Sequence, residues 1–128
     1  MRFHLQQHSS ILEIDQTDWN DLAGDSPFLR YEFLSALENS GCIGNKTAWE
    51  PTYITISDKN RMLLGALPLY IKYDSQGEFV FDWSWANAYE QAGISYYPKL
   101  VSAIPFTPAT GKRILVRNSD DFELIAPI

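Results

Sequence analysis

The sequence predicts a mixed α/β fold of the α+β kind, in which helices flank a mostly antiparallel sheet that is incomplete at its C-terminal end. Two segments in the first third of the chain place apolar residues at helical spacing. The middle of the chain alternates apolar and polar residues, and a third helical segment follows it. With 128 residues the chain fits one domain, assigned to residues 1–128.

Composition narrows the classes of protein to which the chain can belong. The formal net charge is −6 and the basic residues are scattered, so DNA binding through the phosphate backbone is not expected. No apolar run suits a signal peptide or a membrane span, which predicts a cytoplasmic protein. The single cysteine, Cys42, excludes an internal disulfide and is expected to be a buried or idle thiol rather than a nucleophile.

The first element is a short strand over "RFHLQQH". Phe3 and Leu5 share one face of this strand, and His4 and His8 share the other. Two histidines alone do not make a metal site, and no acidic or thiol ligand accompanies them, so no metal is expected.

Two helices follow. In the first, Thr17 is the expected N-cap, Trp19 and Leu22 face inward, and Gly24 ends the helix. The second begins with Ser26 as cap and Pro27 in the first turn, and it ends at Gly41. Its inward face carries three apolar residues, Phe33, Leu34 and Leu37.

The middle of the chain predicts a hairpin. A strand over "TYITISD" leads through a turn at residues 58–61 into a longer strand, "MLLGALPLYIKYD". Gly65 and Pro68 within the longer strand indicate a bulge or a sheet edge.

The segment "EFVFDWSWANAYE" predicts a strand that runs into a helix. Asp82 or Ser84 is the expected helix cap, and Gly93 is its stop. Trp85 and Tyr89 lie on one face, and Trp83 and Trp85 are expected mainly to pack. A buried strand over residues 100–104 follows. In the extended segment before it, Tyr96 and Tyr97 should point to opposite sides. A turn and a short apolar run follow residue 106.

Two readings of the carboxylates in this segment stay open. Asp82 is either a helix cap or, like Glu90, a carboxylate that aromatic neighbours partly desolvate and that accepts a proton from an amine. Tyr89 has the opposite capacity, since its hydroxyl can donate a proton to a leaving group.

A glycine-containing turn after residue 105 is the second candidate site. Backbone N–H groups around Gly111, followed by Lys112 and Arg113, can surround an anion. The alternative is an ordinary turn with exposed basic residues.

Three stretches, "SPFLRYEFLSALENSGCIG", "LLGALPLYIKYDSQGEFVFDWSWANAYEQAGISYYPKL" and "PFTPATGKRIL", together resemble the FemAB-like predicted N-acyltransferases, a bacterial family related to peptidoglycan biosynthesis. The resemblance runs over about residues 26 to 115. It implies a GNAT-like fold and transfer of an acyl group from acyl-CoA or aminoacyl-tRNA to an amine. The acidic charge of the chain makes tRNA the less expected donor.

The resemblance also implies roles for particular residues. Asp82, Tyr89 and Glu90 would carry the catalytic polar roles, and Thr110, Gly111, Lys112 and Arg113 would hold the phosphates of a donor such as acyl-CoA. This loop departs from the usual pattern, with Pro108 where Gln or Arg is usual. No tightly bound cofactor is implied.

Members of the family are longer than this chain, which ends soon after the implied donor loop. We therefore expect a truncated form, a fragmentary gene product, or a small relative that completes its site with a partner. Such a chain is expected to be inactive alone. The alternative function is a non-catalytic module that binds a partner or associates with itself.

Overall fold

The computed structural model describes residues 3–44, 47–74, 83–105 and 113–116. These residues contain three α-helices and two antiparallel sheets, which confirms the predicted α+β class. The elements are β1 (His4–His8), a 3₁₀ turn (Ile11–Glu13), α1 (Gln16–Ala23), α2 (Tyr31–Asn39), β2 (Trp49–Pro51), β3 (Tyr53–Ser57), β4 (Leu63–Leu67), β5 (Tyr70–Lys72), α3 (Trp83–Gln91), β6 (Lys99–Val101) and β7 (Leu115–Val116).

The strands divide between two antiparallel sheets. Within the described residues, one sheet has the order β1-β3-β4-β7 and the other has the order β2-β5-β6. The predicted hairpin is β3 and β4, and its register shifts between Ile56 and Ser57, opposite the segment that contains Gly65. Ile56 pairs with Gly65 and Ser57 with Leu63, so Leu64 is the extra residue and the predicted irregularity lies in the strand that contains Gly65.

The predicted long strand is wrong as a single element. It ends at Leu67 and resumes at Tyr70, and the two halves belong to different sheets. Pro68 lacks the backbone N–H that a continuous ladder needs. The neighbouring strand breaks at the same level, where the Thr52 N–H donates to the Leu69 carbonyl at 2.8 Å. The hairpin thus crosses from one sheet to the other.

Helix α1 has the predicted inward face and end, but not the predicted start. Trp19 and Leu22 are buried, and Gly24 closes the helix with a φ of +64°. The cap is Asp15 rather than Thr17, because Asp15 has extended backbone angles and its Oδ1 accepts the N–H of Asp18 at 3.0 Å.

Helix α2 begins four residues later than expected. Ser26 belongs to a preceding turn in which its carbonyl accepts the N–H of Leu29 at 3.1 Å, so the predicted Ser26 cap and the position of Pro27 are wrong. The Tyr31 N–H is bonded instead by Asn20 Oδ1 of α1, at 2.8 Å. A side chain from another element therefore supplies the cap. Gly41 follows the helix with a φ of +81°, as predicted.

Strand β1 does not alternate between buried and exposed residues, since residues 4–7 are exposed and His8 is its one buried residue. Leu5 is exposed, while His8 lies on the face that β1 shares with Tyr53 of β3. Four aromatic rings form part of the core. The Tyr53 ring packs against Trp19 and Tyr70, and the Tyr70 ring also packs against Trp49.

The last elements agree in part with the sequence. Helix α3 is confirmed and ends before Gly93, although Ser84 lies inside it and is not its cap. The predicted buried strand over 100–104 is shorter and lies at Lys99–Val101, with Leu100 exposed. The strand expected over "EFVFDW" lies outside the described residues, apart from Trp83 at the helix start. No helix in the described ranges is long and apolar enough to cross a membrane.

Candidate functional site

The sequence-predicted site residues are described only in part. Tyr89 and Glu90 lie on α3, and both are exposed. Arg113 is also exposed and lies two residues before β7. Asp82 and the loop residues Thr110, Gly111 and Lys112 lie outside the described residues. The desolvation that the sequence suggested for Glu90 is not found, since its side chain faces solvent.

Tyr89 is part of a stack of three aromatic rings. Its ring centroid lies 5.1 Å from that of Tyr96, with 28° between the ring planes. Tyr96 in turn lies 5.0 Å from Tyr97, at 26°. The Lys99 ammonium nitrogen lies 5.5 Å from the Tyr96 centroid and 5.7 Å from that of Tyr97. We call Tyr89, Tyr96, Tyr97 and Lys99 the tyrosine cluster.

The end of α3 brings the cluster together. The N–H of Gly93 donates to the backbone carbonyl of Glu90 at 3.0 Å, and the N–H of Ile94 donates to that of Tyr89 at 2.9 Å. Gly93 has a φ of +74°. This left-handed residue reverses the chain, so the segment after the helix returns beside Tyr89. The expectation that Tyr96 and Tyr97 point to opposite sides is wrong, because the segment before β6 is not a regular strand.

Exposed apolar side chains accompany the cluster. Trp85, Ile94 and Leu100 are 68%, 58% and 66% exposed. The prediction that Trp85 mainly packs is therefore wrong. Trp85 lies four residues before Tyr89 on α3, and therefore on the same face of the helix.

The buried tyrosine pair is chemically inert by comparison. The hydroxyl oxygens of Tyr53 and Tyr70 lie 3.4 Å apart inside the core. Burial raises the pKa of both phenols above the ordinary value, and the negative charge of Glu38 acts in the same direction. Both hydroxyls therefore keep their protons at neutral pH, so the pair contributes to packing and hydrogen bonding and not to proton transfer.

Two clefts also contain polar groups that the sequence did not single out. One, of about 560 Å³, lies beside the end of α2 and is lined by Glu38 and Glu50 among others. Glu50 accepts a hydrogen bond from the Tyr73 hydroxyl at 2.6 Å. The other, of about 190 Å³, contains His8. Among the described residues no group of acids, histidines and cysteines has the arrangement of a metal site, and Cys42 is exposed rather than buried.

Comparison with known proteins shows to which family the chain is similar. A family model named FemAB-like, described as peptidoglycan biosynthesis/recognition, matches residues 10–127 of the 128. The match covers α1 to β7 and so includes the tyrosine cluster. No curated protein and no solved structure shows a significant match.

Proposed function

Because the chain belongs to the FemAB-like family of peptidoglycan biosynthesis and recognition, we propose that it takes part in N-acyl transfer to an amine of peptidoglycan or of its precursor. The family match over residues 10–127 is the observation that carries this proposal. The donor would be an acyl-CoA or an aminoacyl ester. The net charge of −6 favours a small donor such as acyl-CoA over tRNA.

The chemistry requires a neutral amine and a stabilised leaving group. The amine nitrogen attacks the donor carbonyl carbon, a carbon–nitrogen bond forms, and the carbon–sulfur or carbon–oxygen bond of the donor breaks. The amine proton passes to a base, for which Asp82 and Glu90 are proposed, and the Tyr89 hydroxyl can protonate the leaving group. Thr110, Gly111, Lys112 and Arg113 are proposed to hold the donor phosphates.

The tyrosine cluster supports a role in binding the acceptor. The C–H faces of sugar rings are apolar and pack against aromatic rings such as those of the cluster, in which Tyr89 is exposed and Tyr96 and Tyr97 are half-buried. The Lys99 ammonium beside these rings can donate hydrogen bonds to a carboxylate of a stem peptide. Peptidoglycan combines sugar rings with peptide carboxylates, so the cluster matches both parts of this acceptor.

Thermal unfolding with separate ligands tests the proposal. A soluble disaccharide peptide from peptidoglycan and a series of acyl-CoAs should each raise the unfolding midpoint, by about 2.7 kcal/mol of stabilisation at a hundredfold excess over the dissociation constant. Tyr96→Ala should abolish the shift with the disaccharide peptide. Tyr73→Ala removes another exposed tyrosine outside the cluster and serves as the matched control. Absence of any shift with either ligand would contradict the proposal.

The role of Asp82 has its own test. Asn caps a helix nearly as well as Asp, so Asp82→Asn should leave the midpoint unchanged. If Asp82 is the base, the variant should lose most of its transfer rate, measured with labelled donor and the disaccharide peptide. An unchanged rate would leave Glu90 as the proposed base.

A second candidate function is a non-catalytic module that binds a partner or itself. The exposed Trp85, Ile94 and Leu100 favour it, and β6 ends the three-stranded sheet among the described residues. Light scattering separates the two functions. A monomer that binds a donor supports transfer, whereas a dimer that ignores donors and dissociates on Leu100→Lys supports the module.

A further inference from the structure

A small cleft lies between the start of α1 and the four-stranded sheet, and none of its lining residues belongs to the tyrosine cluster. Its volume is about 190 Å³. The cleft is lined by residues of β1, the 3₁₀ turn, α1, β3 and the β3–β4 turn. Its polar lining residues include His8, Glu13, Asp15, Asp18, Thr55 and Arg61. We call it the His8 cleft.

The wall of the cleft contains a buried histidine with one unused nitrogen. His8 is 7% exposed, and its Nε2 lies 2.9 Å from Thr55 Oγ1. No described residue makes a hydrogen bond to its Nδ1. Burial lowers the pKa of His8, and the negative charge of Glu13 opposes this effect. The imidazole therefore favours its neutral form, and because His8 lines the cleft its ring signals can report binding there.

Charges of both signs line the same space. Three of its lining residues are acidic, Glu13, Asp15 and Asp18, and one is basic, Arg61. Two carboxylates have local roles, since Glu13 accepts the N–H of Ser9 and Asp15 caps α1. Within the described residues, no ion pair joins Arg61 to any of these carboxylates.

The position of Arg61 follows from the turn that holds it. Its φ is +64°, in the left-handed region that few residues other than glycine and asparagine adopt. Asp58 maintains this turn, because its Oδ1 accepts the N–H groups of Asn60 and Met62 at 2.8 and 2.9 Å. The side chain of Asp58 therefore fixes the backbone of the turn that places Arg61 at the cleft.

We propose that the His8 cleft binds a small zwitterion of the α-amino acid class, with its ammonium group facing Glu13 and Asp18 and its carboxylate facing Arg61. The three acidic residues would repel a simple anion. They would attract a simple cation, but a cation would leave Arg61 without an ion-pair partner among the described residues. A zwitterion places a positive charge beside the acidic residues and a negative charge beside Arg61. The volume is below the 300 Å³ or so at which drug-sized ligands begin, so a small amino acid fits.

Histidine NMR provides a direct test, because the chain contains two histidines and His4 is exposed outside the cleft. L-Alanine should shift the His8 ring signals saturably and leave those of His4 unchanged. Ethylamine lacks the carboxylate and propionate lacks the ammonium, so each should bind at least about tenfold more weakly, the loss expected for one charge-assisted contact.

Two pairs of variants test the charges. Arg61→Asn suits the left-handed backbone and should weaken L-alanine binding about tenfold, whereas Lys59→Asn, in the same turn, should not. Asp18→Asn should weaken it similarly, with Asp21→Asn on the same helix as control. An unmoved His8 signal, or equal binding of L-alanine and ethylamine, would overturn the proposal. The result is independent of the acyl transfer proposal, because the cleft shares no lining residue with the residues proposed for acyl transfer.

Discussion

Lys72 and Trp49 face each other inside the protein. They are paired across β2 and β5, and the Lys72 ammonium nitrogen lies 4.2 Å from the centroid of the Trp49 ring. Lys72 is 0% exposed and Trp49 is 2% exposed. The negative face of the indole and the carboxylate of Asp74, 3.5 Å from the ammonium, together stabilise a charge that burial alone would make unfavourable.

The two sides of this contact should respond differently to substitution. Lys72→Met keeps most of the volume and removes the charge, so it should lower the free energy of unfolding by less than about 1.5 kcal/mol. Trp49→Leu leaves a buried ammonium without its ring and opens a cavity, which should cost about 3–5 kcal/mol. Urea unfolding of both variants measures the difference. Equal losses would mean that the ammonium itself is essential.

The buried tyrosines should make the protein less stable at high pH. Burial raises the folded-state pKa of Tyr53 and Tyr70 above the unfolded value of about 10, so the stabilisation is complete below pH 10. Above that pH the unfolded chain loses protons that the folded chain keeps. Each tyrosine should then reduce the free energy of unfolding by about 1.4 kcal/mol per pH unit.

Urea unfolding between pH 8 and 11 tests this dependence. The double variant Tyr53→Phe, Tyr70→Phe should be less steeply dependent on pH, because phenylalanine does not titrate. If the free energy of unfolding of the double variant falls with pH as steeply as that of the original chain, groups other than these tyrosines cause the loss of stability.

The observed cap of α1 gives a matched pair of substitutions. Asp15→Ala removes the bond to the Asp18 N–H and should cost about 1 kcal/mol. Thr17→Ala, at the cap that the sequence predicted, should change stability by a few tenths of a kcal/mol at most, because Thr17 is exposed within the first turn. Thermal unfolding of both variants decides between the two caps.

The stacking of Tyr89 on Tyr96 should appear in a double-mutant cycle. Leucine at each position separately and then at both should reveal a coupling energy of about 0.5–1.5 kcal/mol in the free energy of unfolding. The same cycle with Trp85 and Tyr96 is the control. A coupling of zero for Tyr89 and Tyr96 would contradict the stacked geometry.

Much of the local structure could be predicted because it depends on neighbouring residues. Trp19 and Leu22 lie three apart on one helix face, and both are buried as expected. Gly24 and Gly93 follow helices with positive φ values, as the sequence indicated. The helix starts were less predictable, since Asn20 from another helix bonds the first amide of α2.

The candidate sites were predictable only where they lie in one segment. The sequence singled out Tyr89, but its stacking on Tyr96 depends on a reversal after Gly93. The His8 cleft combines residues from separate parts of the chain, such as His8 and Arg61. No local pattern relates these two, so sequence reasoning considered His8 only as a partner of His4.

The sequence by itself determined the α+β class, the family and most helix and strand positions, because periodicity, glycine stops and long motifs are properties of contiguous residues. Only the tertiary structure decided that the long hairpin divides between two sheets at Thr52 and Leu69. It also decided that a lysine is buried against Trp49 and that opposite charges meet around His8. These features arise from contacts between distant segments, whose free energy depends on packing and burial that adjacent residues do not specify.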